Sequence, residues 1–361
     1  MSELTNFNSE EYKILSSIFE EIKMDKWIAR LIENYIYKWE EKEVISEKFG
    51  KLQARYLTRF LVKDGECKVY YESGNIKEHY YYIDGKAEGE LKYWYDTGDN
   101  KLNSISNYKN DVLEGKTTSW YENGKCRYIL SYKNGLLDGE QMDWYPLTSQ
   151  MDHDVLSNHC FCINGKKNGE YKEWHSNGKL RIHCFYKDDL TDGEFKSWYP
   201  NGNINTHCYF KKDKEHGEYK EFHENGEIQA KVVYVEGNRE GKYKRWWSNG
   251  NLSVECHYLK GKKMGKYKDW YENGQLKLNK RYLNDMTNGR EIAWFENGNC
   301  QYIKYFVNEK MNGITKGWRE NGTLLFRGYF RNDKLHGIFQ RFDEEGNVIE
   351  QTQYEDGVRV T

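Results

Sequence analysis

The sequence predicts a mostly β protein: an elongated tandem array of antiparallel β-hairpins with a short α-helical cap at its N-terminus. Three observations lead to this prediction. A glycine recurs at a nearly constant interval, aromatic residues lie at fixed distances from it, and an Asn-Gly dipeptide marks most of the turns. Of the 361 residues 32 are Gly, 2 are Pro and 16% are aromatic, a composition that suits a thin sheet with tight turns.

The recurring glycine, here called the ladder glycine, defines twelve copies of one repeat within residues 65–361. Its spacing is 24 residues from Gly169 onward, and the earlier steps are 24, 26, 24 and 30 residues, so an insertion lies within residues 139–168. Such repeats must stack on one another to bury their apolar faces. The ladder glycines are Gly65, Gly89, Gly115, Gly139, Gly169, Gly193, Gly217, Gly241, Gly265, Gly289, Gly313 and Gly337.

Three further positions recur after the ladder glycine. An aromatic residue follows it by five residues in every copy, a second glycine by nine in eleven copies, and another aromatic residue by seventeen in most copies. These are the structural repeat positions that we expect to define the fold. In the regular central copies they are, with their ladder glycines, Gly169, Trp174, Gly178, Tyr186, Gly193, Trp198, Gly202, Gly217, Gly226, Tyr234, Gly241, Trp246, Gly250, Tyr258, Gly265, Trp270, Gly274 and Tyr282.

The Asn-Gly dipeptides predict two-residue hairpin turns of type I′, because both loop positions of that turn require a positive φ angle. In the copy that begins at Gly169, a turn of this type at Asn177-Gly178 fixes the register of the two strands. It places Gly169 opposite Tyr186, Tyr171 opposite Cys184, and His175 opposite Leu180.

Strand side chains alternate between the two faces of a sheet, so these opposing pairs share one face and Trp174 lies on the other. We expect the ladder glycine to leave room for the aromatic residue opposite it. On that basis Gly217→Val should remove the space for Tyr234, whereas Glu218→Ala should affect only a solvated charge.

The repeat resembles the MORN repeat, in particular its 24-residue variant with the pattern G-E-Y-K-x-W-Y-x-N-G-x-L. Residues 169–180 and 265–274 carry this pattern, and the resemblance extends from Gly65 to the C-terminus. It implies an array of hairpins used for protein–protein contacts, membrane-proximal scaffolding or dimerisation. The chain is similar in this respect to bacterial repeat proteins labelled antitoxins and to MORN-repeat proteins of amoebal giant viruses.

Residues 1–60 precede the repeats and are predicted to be an α-helical segment. Asn8 and Glu11 form a capping box, and apolar residues then recur at helical spacing in two stretches, which predicts two amphipathic helices within residues 8–49. They would cap the open edge of the first hairpin. The alternatives are that they bind a partner or dimerise, or that they lie on a membrane, which the acidic second helix disfavours.

Three His-Cys dipeptides recur at one position of the repeat and raise the question of a metal site: His159-Cys160, His183-Cys184 and His207-Cys208. Neighbouring residues on a strand point to opposite faces, and equivalent positions in successive hairpins lie about 9.6 Å apart. Zinc ligands lie about 4 Å from each other, so we expect these cysteines to pack and not to bind metal.

We expect no enzymatic activity, no catalytic residues and no cofactor. No phosphate-binding loop, zinc-protease motif or nucleophile elbow is present in the sequence. The segment outside the repeats is too short for a catalytic domain. The net charge is −2, with 55 basic and 57 acidic residues, so the sequence lacks the basic excess of a nucleic-acid binder.

The sequence therefore favours an interaction or scaffolding protein with a protein partner and no nucleic acid. The alternatives are an antitoxin-like inhibitor that binds a toxin in a 1:1 complex, and a peripheral membrane or lipid-binding structural protein, which the balanced charge disfavours. Homodimerisation stays open. Eight cysteines without close pairing and an N-terminus unlike a secretion signal favour the cytoplasm, or the host-cell cytoplasm or virion if the protein is viral.

Overall fold

A computed structural model describes residues 39–45, 52–59, 62–146 and 154–360, with side chains from residue 63 onward. The chain divides into two compact units, Met1–Asp154 and Val155–Thr361. The described residues form 34 β-strands and contain no helix. Accordingly, no helix among these residues is long and apolar enough to cross a membrane.

The first unit contains β1 to β11. In chain order they are Trp39–Ile45, Leu52–Arg59, Val62–Tyr70, Ile76–Ile83, Lys86–Trp94, Leu102–Lys109, Val112–Leu113, Gly115–Trp120, Cys126–Lys133, Leu136–Leu137 and Gly139–Trp144.

The second unit contains β12 to β34. In chain order they are Leu156–Ile163, Lys166–Trp174, Leu180–Lys187, Leu190–Trp198, Ile204–Lys211, Lys214–Glu215, Gly217–Phe222, Ile228–Val235, Asn238–Trp246, Leu252–Leu259, Lys262–Lys263, Gly265–Trp270, Leu276–Leu283, Met286–Thr287, Gly289–Trp294, Cys300–Val307, Lys310–Met311, Gly313–Trp318, Leu324–Arg331, Lys334–Leu335, Gly337–Phe342, Val348–Glu355 and Val358–Arg359.

Within each unit, strands of six or more residues that follow one another along the chain pair antiparallel, and each two-residue strand pairs with the long strand before it. The hairpin register is the one predicted from the ladder glycine. In the hairpin of β13 and β14, Gly169 lies opposite Tyr186 and Tyr171 lies opposite Cys184. The same pairing of ladder glycine with aromatic residue recurs in later hairpins, for example between Gly217 and Tyr234. The prediction of tandem antiparallel hairpins is therefore confirmed.

The prediction of type I′ turns at the Asn-Gly dipeptides whose glycine lies nine residues after the ladder glycine is wrong. Gly178 has φ 80°, but Asn177 is not among the residues with positive φ. A bulge after Glu173 shifts the register, so that Leu180 pairs with Trp174 instead of His175. The loop then closes by hydrogen bonds from the His175 amide to the Lys179 carbonyl (2.8 Å) and from the Gly178 amide to the His175 carbonyl (2.9 Å). This is a three-residue loop with glycine at its left-handed position.

Turns with two positive φ angles occur instead between one copy and the next. Asp188 and Asp189 have φ of 53° and 69°, and they join the paired residues Lys187 and Leu190. Asn, Asp and Gly tolerate this left-handed conformation better than other residues. The I′-type turns are therefore the connections between copies.

The predicted helical boundary at residue 60 is also wrong, because Trp39–Ile45 and Leu52–Arg59 are strands. They pair with each other, and Leu52–Arg59 continues the ladder onto Val62–Tyr70. Without this partner the first repeat strand would expose a row of unpaired backbone groups, and pairing overrides the helical spacing of the side chains. The array thus begins one hairpin before Gly65. The rest of the predicted helices, residues 8–38 and 46–49, lies outside the described residues.

The expectation that the ladder glycine leaves room for the aromatic residue opposite it is wrong at Gly217. A Cβ atom built on Gly217 would have no neighbour within 4 Å, although the residue has φ +86°. Glycine is therefore required at this position by its backbone conformation and not by the space that Tyr234 occupies.

Candidate functional site

Each hairpin has two chemically different faces, which the register defines. In the copy that begins at Gly169, the aromatic face carries Tyr171, Cys184 and Tyr186, and the charged face carries Glu170 and His183. Corresponding residues of the other copies belong to the same faces, and the two names are used for them below.

The aromatic face is packed by an edge-to-face pair of rings in each regular copy. One ring lies two residues after the ladder glycine and the other seventeen residues after it, with ring centroids 5.5–6.0 Å apart, a favourable arrangement for aromatic side chains. The pairs are Tyr171–Tyr186, Phe195–Phe210, Tyr219–Tyr234, Tyr243–Tyr258 and Tyr267–Tyr282.

The structure separates the members of the His-Cys dipeptides. Cys184 and Cys208 are 1% and 2% exposed on the aromatic face, and burial raises their thiol pKa to about 11 and about 12. Both thiols are therefore neutral near pH 7 and are poor nucleophiles or metal ligands. His183 and His207 lie on the charged face, where each Nε2 is 2.8–2.9 Å from a glutamate of its own hairpin.

The other structural repeat positions have distinct roles. The second glycine of each copy, such as Gly178, Gly202 or Gly274, lies in the hairpin loop with positive φ. The tryptophan five residues after the ladder glycine ends its strand and provides a backbone carbonyl to the preceding copy, as described next. In the first unit the Trp94 ring also stacks on His79, with centroids 6.5 Å apart, which places this ring on the charged face.

Side chains next to these tryptophans tie one copy to the next, an arrangement that the sequence reasoning missed. The Tyr199 hydroxyl donates to the Phe222 carbonyl at 2.9 Å, and the Tyr271 hydroxyl donates to the Trp294 carbonyl at 3.0 Å. His175 and Trp247 make equivalent contacts through ring nitrogens, with Trp198 and Trp270 as acceptors. The signal in the sequence was a polar aromatic residue directly after the tryptophan.

In the six copies from Gly169 to Gly289 the asparagine before the loop glycine makes a second connection to the next copy. The Asn201 amide nitrogen donates to the Glu224 carbonyl at 2.8 Å, and that of Asn225 donates to the Ser248 carbonyl at 2.9 Å. The asparagine is therefore selected for its side-chain amide and not for a left-handed backbone.

A groove of about 530 Å³ opens on the aromatic face of the copies that begin at Gly169, Gly193 and Gly217. Its walls include Phe195, Phe210 and Tyr219, and Cys208 also lines it. Two charged residues line the groove as well. One is Arg181, whose guanidinium is 2.7 Å from Glu173, and the other is Glu215.

The charged face carries short ion-pair networks. Glu218 accepts from Lys220 at 2.6 Å and from Lys231 at 2.5 Å. The hydrogen bond from Lys220, followed by that from Lys231, lowers the Glu218 pKa to about 2 from the ordinary value of 4.5. Because these side chains are substantially exposed, the network contributes no more than about 1 kcal/mol.

The Glu218 network should make a small contribution to stability that depends on pH. Because the folded-state pKa is lowered, this contribution is fully present above about pH 4.5 and is lost as the pH falls towards about 2. We expect Glu218→Gln to be less stable than the wild type by under about 1 kcal/mol near neutral pH, with the difference vanishing in acid. Urea unfolding across this pH range measures it, and Glu224→Gln in an exposed turn is the control. A difference independent of pH would contradict the assignment.

The charged face also carries a row of exposed apolar side chains next to the turns that connect the copies. They lie sixteen or eighteen residues after the ladder glycine, or at the equivalent positions of β12, and are 37–51% exposed. Equivalent residues of successive copies lie two strands apart, about 9.6 Å, and Val235, Leu259, Leu283 and Val307 follow one another in this way in four successive copies. In the second unit this apolar row consists of Phe161, Ile163, Tyr209, Val233, Val235, Leu259, Leu283, Tyr305, Val307 and Tyr329.

Among the described residues, no group of three or more His, Cys, Asp or Glu side chains is arranged to hold a metal ion. The features available for binding are therefore the groove on the aromatic face and the apolar row on the charged face.

Eight segments of the chain match the MORN repeat variant: residues 63–84, 113–134, 167–188, 191–212, 215–236, 239–260, 265–284 and 335–356. No curated protein sequence matches the chain.

The comparison with solved structures gives only distant matches. A crystal structure of TcdB2-TccC3-Cdc42 is 9% identical over 87% of this chain and 22% of that chain, with a TM-score of 0.14. The Tc holotoxin pore of Photorhabdus luminescens is 9% identical over 88% of this chain and 22% of that one, with a TM-score of 0.16. A Bacteroides fragilis protein of unknown function is 11% identical over 63% and 97%, with a TM-score of 0.08. The chain spans about a fifth of the length of the first two, and none of these matches carries an argument about function.

Proposed function

Because this chain belongs to the MORN-repeat family, we propose that it is a non-enzymatic scaffold that binds a partner protein along the apolar row of its charged face. The repeats supply a regular surface on which a partner can make the same contact several times. The apolar row is the observation that carries this proposal.

Apolar side chains scattered singly over a surface need no explanation, but a contiguous exposed patch marks an interaction surface. In the apolar row Val233 and Val235 are 42% and 45% exposed, and Leu259 in the following copy is 44% exposed. Full burial of such a side chain contributes about 1.5–3 kcal/mol. Several of them half covered by a partner therefore supply enough free energy for a specific contact.

The surroundings of the apolar row indicate the chemistry of the partner. Glu218 and Lys231 lie on the same face, and His207 pairs with Glu194 one copy earlier. A complementary surface is thus an apolar strip flanked by charges of both signs. Such a polar rim around an apolar centre is typical of protein–protein interfaces.

The test compares two double variants of the full-length chain in affinity capture from its native cell. Val233→Lys with Val235→Lys places two charges in the apolar row. Val348→Lys with Ile349→Lys makes the same chemical change at residues that are 49% and 60% exposed outside the row. We expect the first variant to capture about one tenth or less of the partner that the wild type captures, since two buried apolar contacts are lost. The second variant should retain it.

Equal retention by both double variants, or the absence of a stoichiometric partner with the wild type, would contradict the proposal. Recovery of a single toxin in a 1:1 complex would identify the inhibitor alternative. Recovery of the chain only with anionic vesicles would identify the membrane alternative.

A further inference from the structure

The residue two positions before the ladder glycine, here called the cation position, is Lys or Arg in four of the twelve copies. In three of these copies its charge lies over both rings of the ring pair of its own copy. The Lys167 ammonium lies 4.8 Å from the Tyr171 ring centroid and 5.2 Å from that of Tyr186. A cation over an aromatic face is attracted by the negative potential of the ring. The chain thus covers this ring pair with its own ammonium group.

Two other copies repeat this arrangement. Lys263 lies 5.6 Å and 5.2 Å from the ring centroids of Tyr267 and Tyr282. The Arg239 guanidinium lies 5.3 Å and 5.5 Å from those of Tyr243 and Tyr258. The ring pair therefore binds a cation in these copies, and that cation is a Lys or Arg side chain of the same copy.

Eight of the twelve copies hold no cation at this position, and the groove lies over two of them that are adjacent. The cation position holds Thr191 before Gly193, so no cation of this copy covers Phe195 and Phe210. In the next copy it holds Glu215, the one acidic residue among the twelve cation positions, all of which are described.

Glu215 pairs across the sheet with Phe210 and is partly buried. In the described part of the chain, no ion pair or side-chain hydrogen bond joins its carboxylate to another residue. Arg239, at the cation position of the following copy, donates to the Tyr234 hydroxyl at 3.1 Å and lies over the rings of its own copy. Glu215 therefore lines the groove beside Phe210 and Tyr219 without an ion-pair partner, and its Oε2 lies near Gly237 in the following turn.

We propose that Glu215, Phe195, Phe210 and Tyr219 form a binding site, the cation cage, for a lysine or arginine side chain of a bound polypeptide. The carboxylate supplies the opposite charge, and the rings supply the surface on which the neighbouring copies hold Lys167, Arg239 and Lys263. A ligand's cation would thus occupy the place that the chain fills itself elsewhere.

The groove indicates a polypeptide and not a free amine. Its volume of about 530 Å³ is in the range of sites for ligands much larger than one ammonium group. It continues from Glu215 past Phe195 to Ile182 and ends near Arg181, which is already paired with Glu173. The apolar part between the two ends accommodates the residues that flank the bound cation. The site lies on the opposite face from the apolar row and goes beyond the function proposed above.

The test is a fluorescence anisotropy titration of the full-length chain with a short fluorescein-labelled oligolysine at near-physiological salt. Glu215→Gln should weaken binding about tenfold, because the charge partner of the ammonium is lost. Glu215→Lys should abolish saturable binding, since it supplies the internal ammonium of the neighbouring copies. Both variants should keep the wild-type circular dichroism spectrum and unfolding midpoint. Glu224→Gln makes the same charge change in an exposed turn and should bind as the wild type does.

Equal weakening in Glu215→Gln and Glu224→Gln would show non-specific attraction and overturn the proposal. Saturable binding that survives in Glu215→Lys, or its absence in the wild type, would do the same. Competition by free lysine amide as strong as that by unlabelled oligolysine would overturn the assignment to a polypeptide. The double variant Val233→Lys with Val235→Lys should still bind oligolysine, because the cation cage lies on the other face. A failure of the cation cage can therefore be distinguished from a failure of the apolar row as a partner-binding surface.

Discussion

Replacing Cys208 by lysine should unfold the copies around it, whereas the same replacement at the adjacent Tyr209 should leave the fold intact. Cys208 is 2% exposed beneath the rings of the aromatic face, and Tyr209 is 41% exposed in the apolar row. A lysine in the first position must bury an unpaired ammonium or lose its proton, at a cost of about 5 kcal/mol or more. At the second position its ammonium extends into water, and the cost should stay below about 1 kcal/mol.

Urea unfolding followed by circular dichroism measures both variants under one set of conditions. Because a repeat array can lose structure locally, hydrogen exchange on peptides from residues 190–235 shows which copies unfold. Similar destabilisation by the two variants would mean that the alternation of faces in this hairpin is wrong.

Gly217→Val should lower the free energy of unfolding by about 3 kcal/mol, the second largest effect that we expect from a single substitution. Gly217 has φ +86°, and a β-branched residue tolerates that backbone conformation poorly. The open space around its Cβ position makes the conformation the cause, since nothing lies within 4 Å of that atom.

A matched series separates backbone strain from crowding. Gly217→Asn should cost less than Gly217→Val, because asparagine adopts positive φ more readily although it is of similar size. Glu218→Ala removes only two exposed ion pairs and should cost under about 1 kcal/mol. Chemical denaturation provides the ranking. If asparagine and valine were equally harmful, a steric account would replace the conformational one.

The sequence was sufficient for the hairpin register because three independent periodic signals agree. The ladder glycine, the aromatic residue seventeen positions later and the loop glycine all fit a single pairing. That pairing is seen at Gly169 and Tyr186 and recurs at Gly217 and Tyr234. Alternation of side chains along each strand then separated Cys184 from His183 without further information.

The turn type could not be obtained in the same way. An Asn-Gly dipeptide fits both a type I′ turn and the three-residue loop that is present, and local propensity does not separate them. The deciding interaction is between copies, since the Asn177 amide donates to the Pro200 carbonyl at 2.8 Å. Such a contact is visible only after the copies have been stacked.

The N-terminal boundary and the binding surfaces were missed for related reasons. The segment 39–45 becomes a strand because Leu52–Arg59 gives it a partner, and tertiary pairing outweighs local periodicity. The sequence shows the apolar residues sixteen and eighteen positions after the ladder glycine, but it does not show that their side chains are exposed. Glu215 became notable only when the structure placed Lys167 and Lys263 over rings at the equivalent position.

Hydroxyl-radical footprinting of the full-length chain tests most directly the central claim that each hairpin has one packed and one open face. It compares neighbouring aromatic residues that differ in face: Tyr81 and Tyr82, Tyr209 and Phe210, Tyr305 and Phe306, and Tyr329 and Phe330. The first member of each pair is 37–46% exposed and the second is partly buried on the aromatic face. We expect faster oxidation of the first member in all four pairs. Equal rates within the pairs, or faster oxidation of the second members, would contradict the two-faced array.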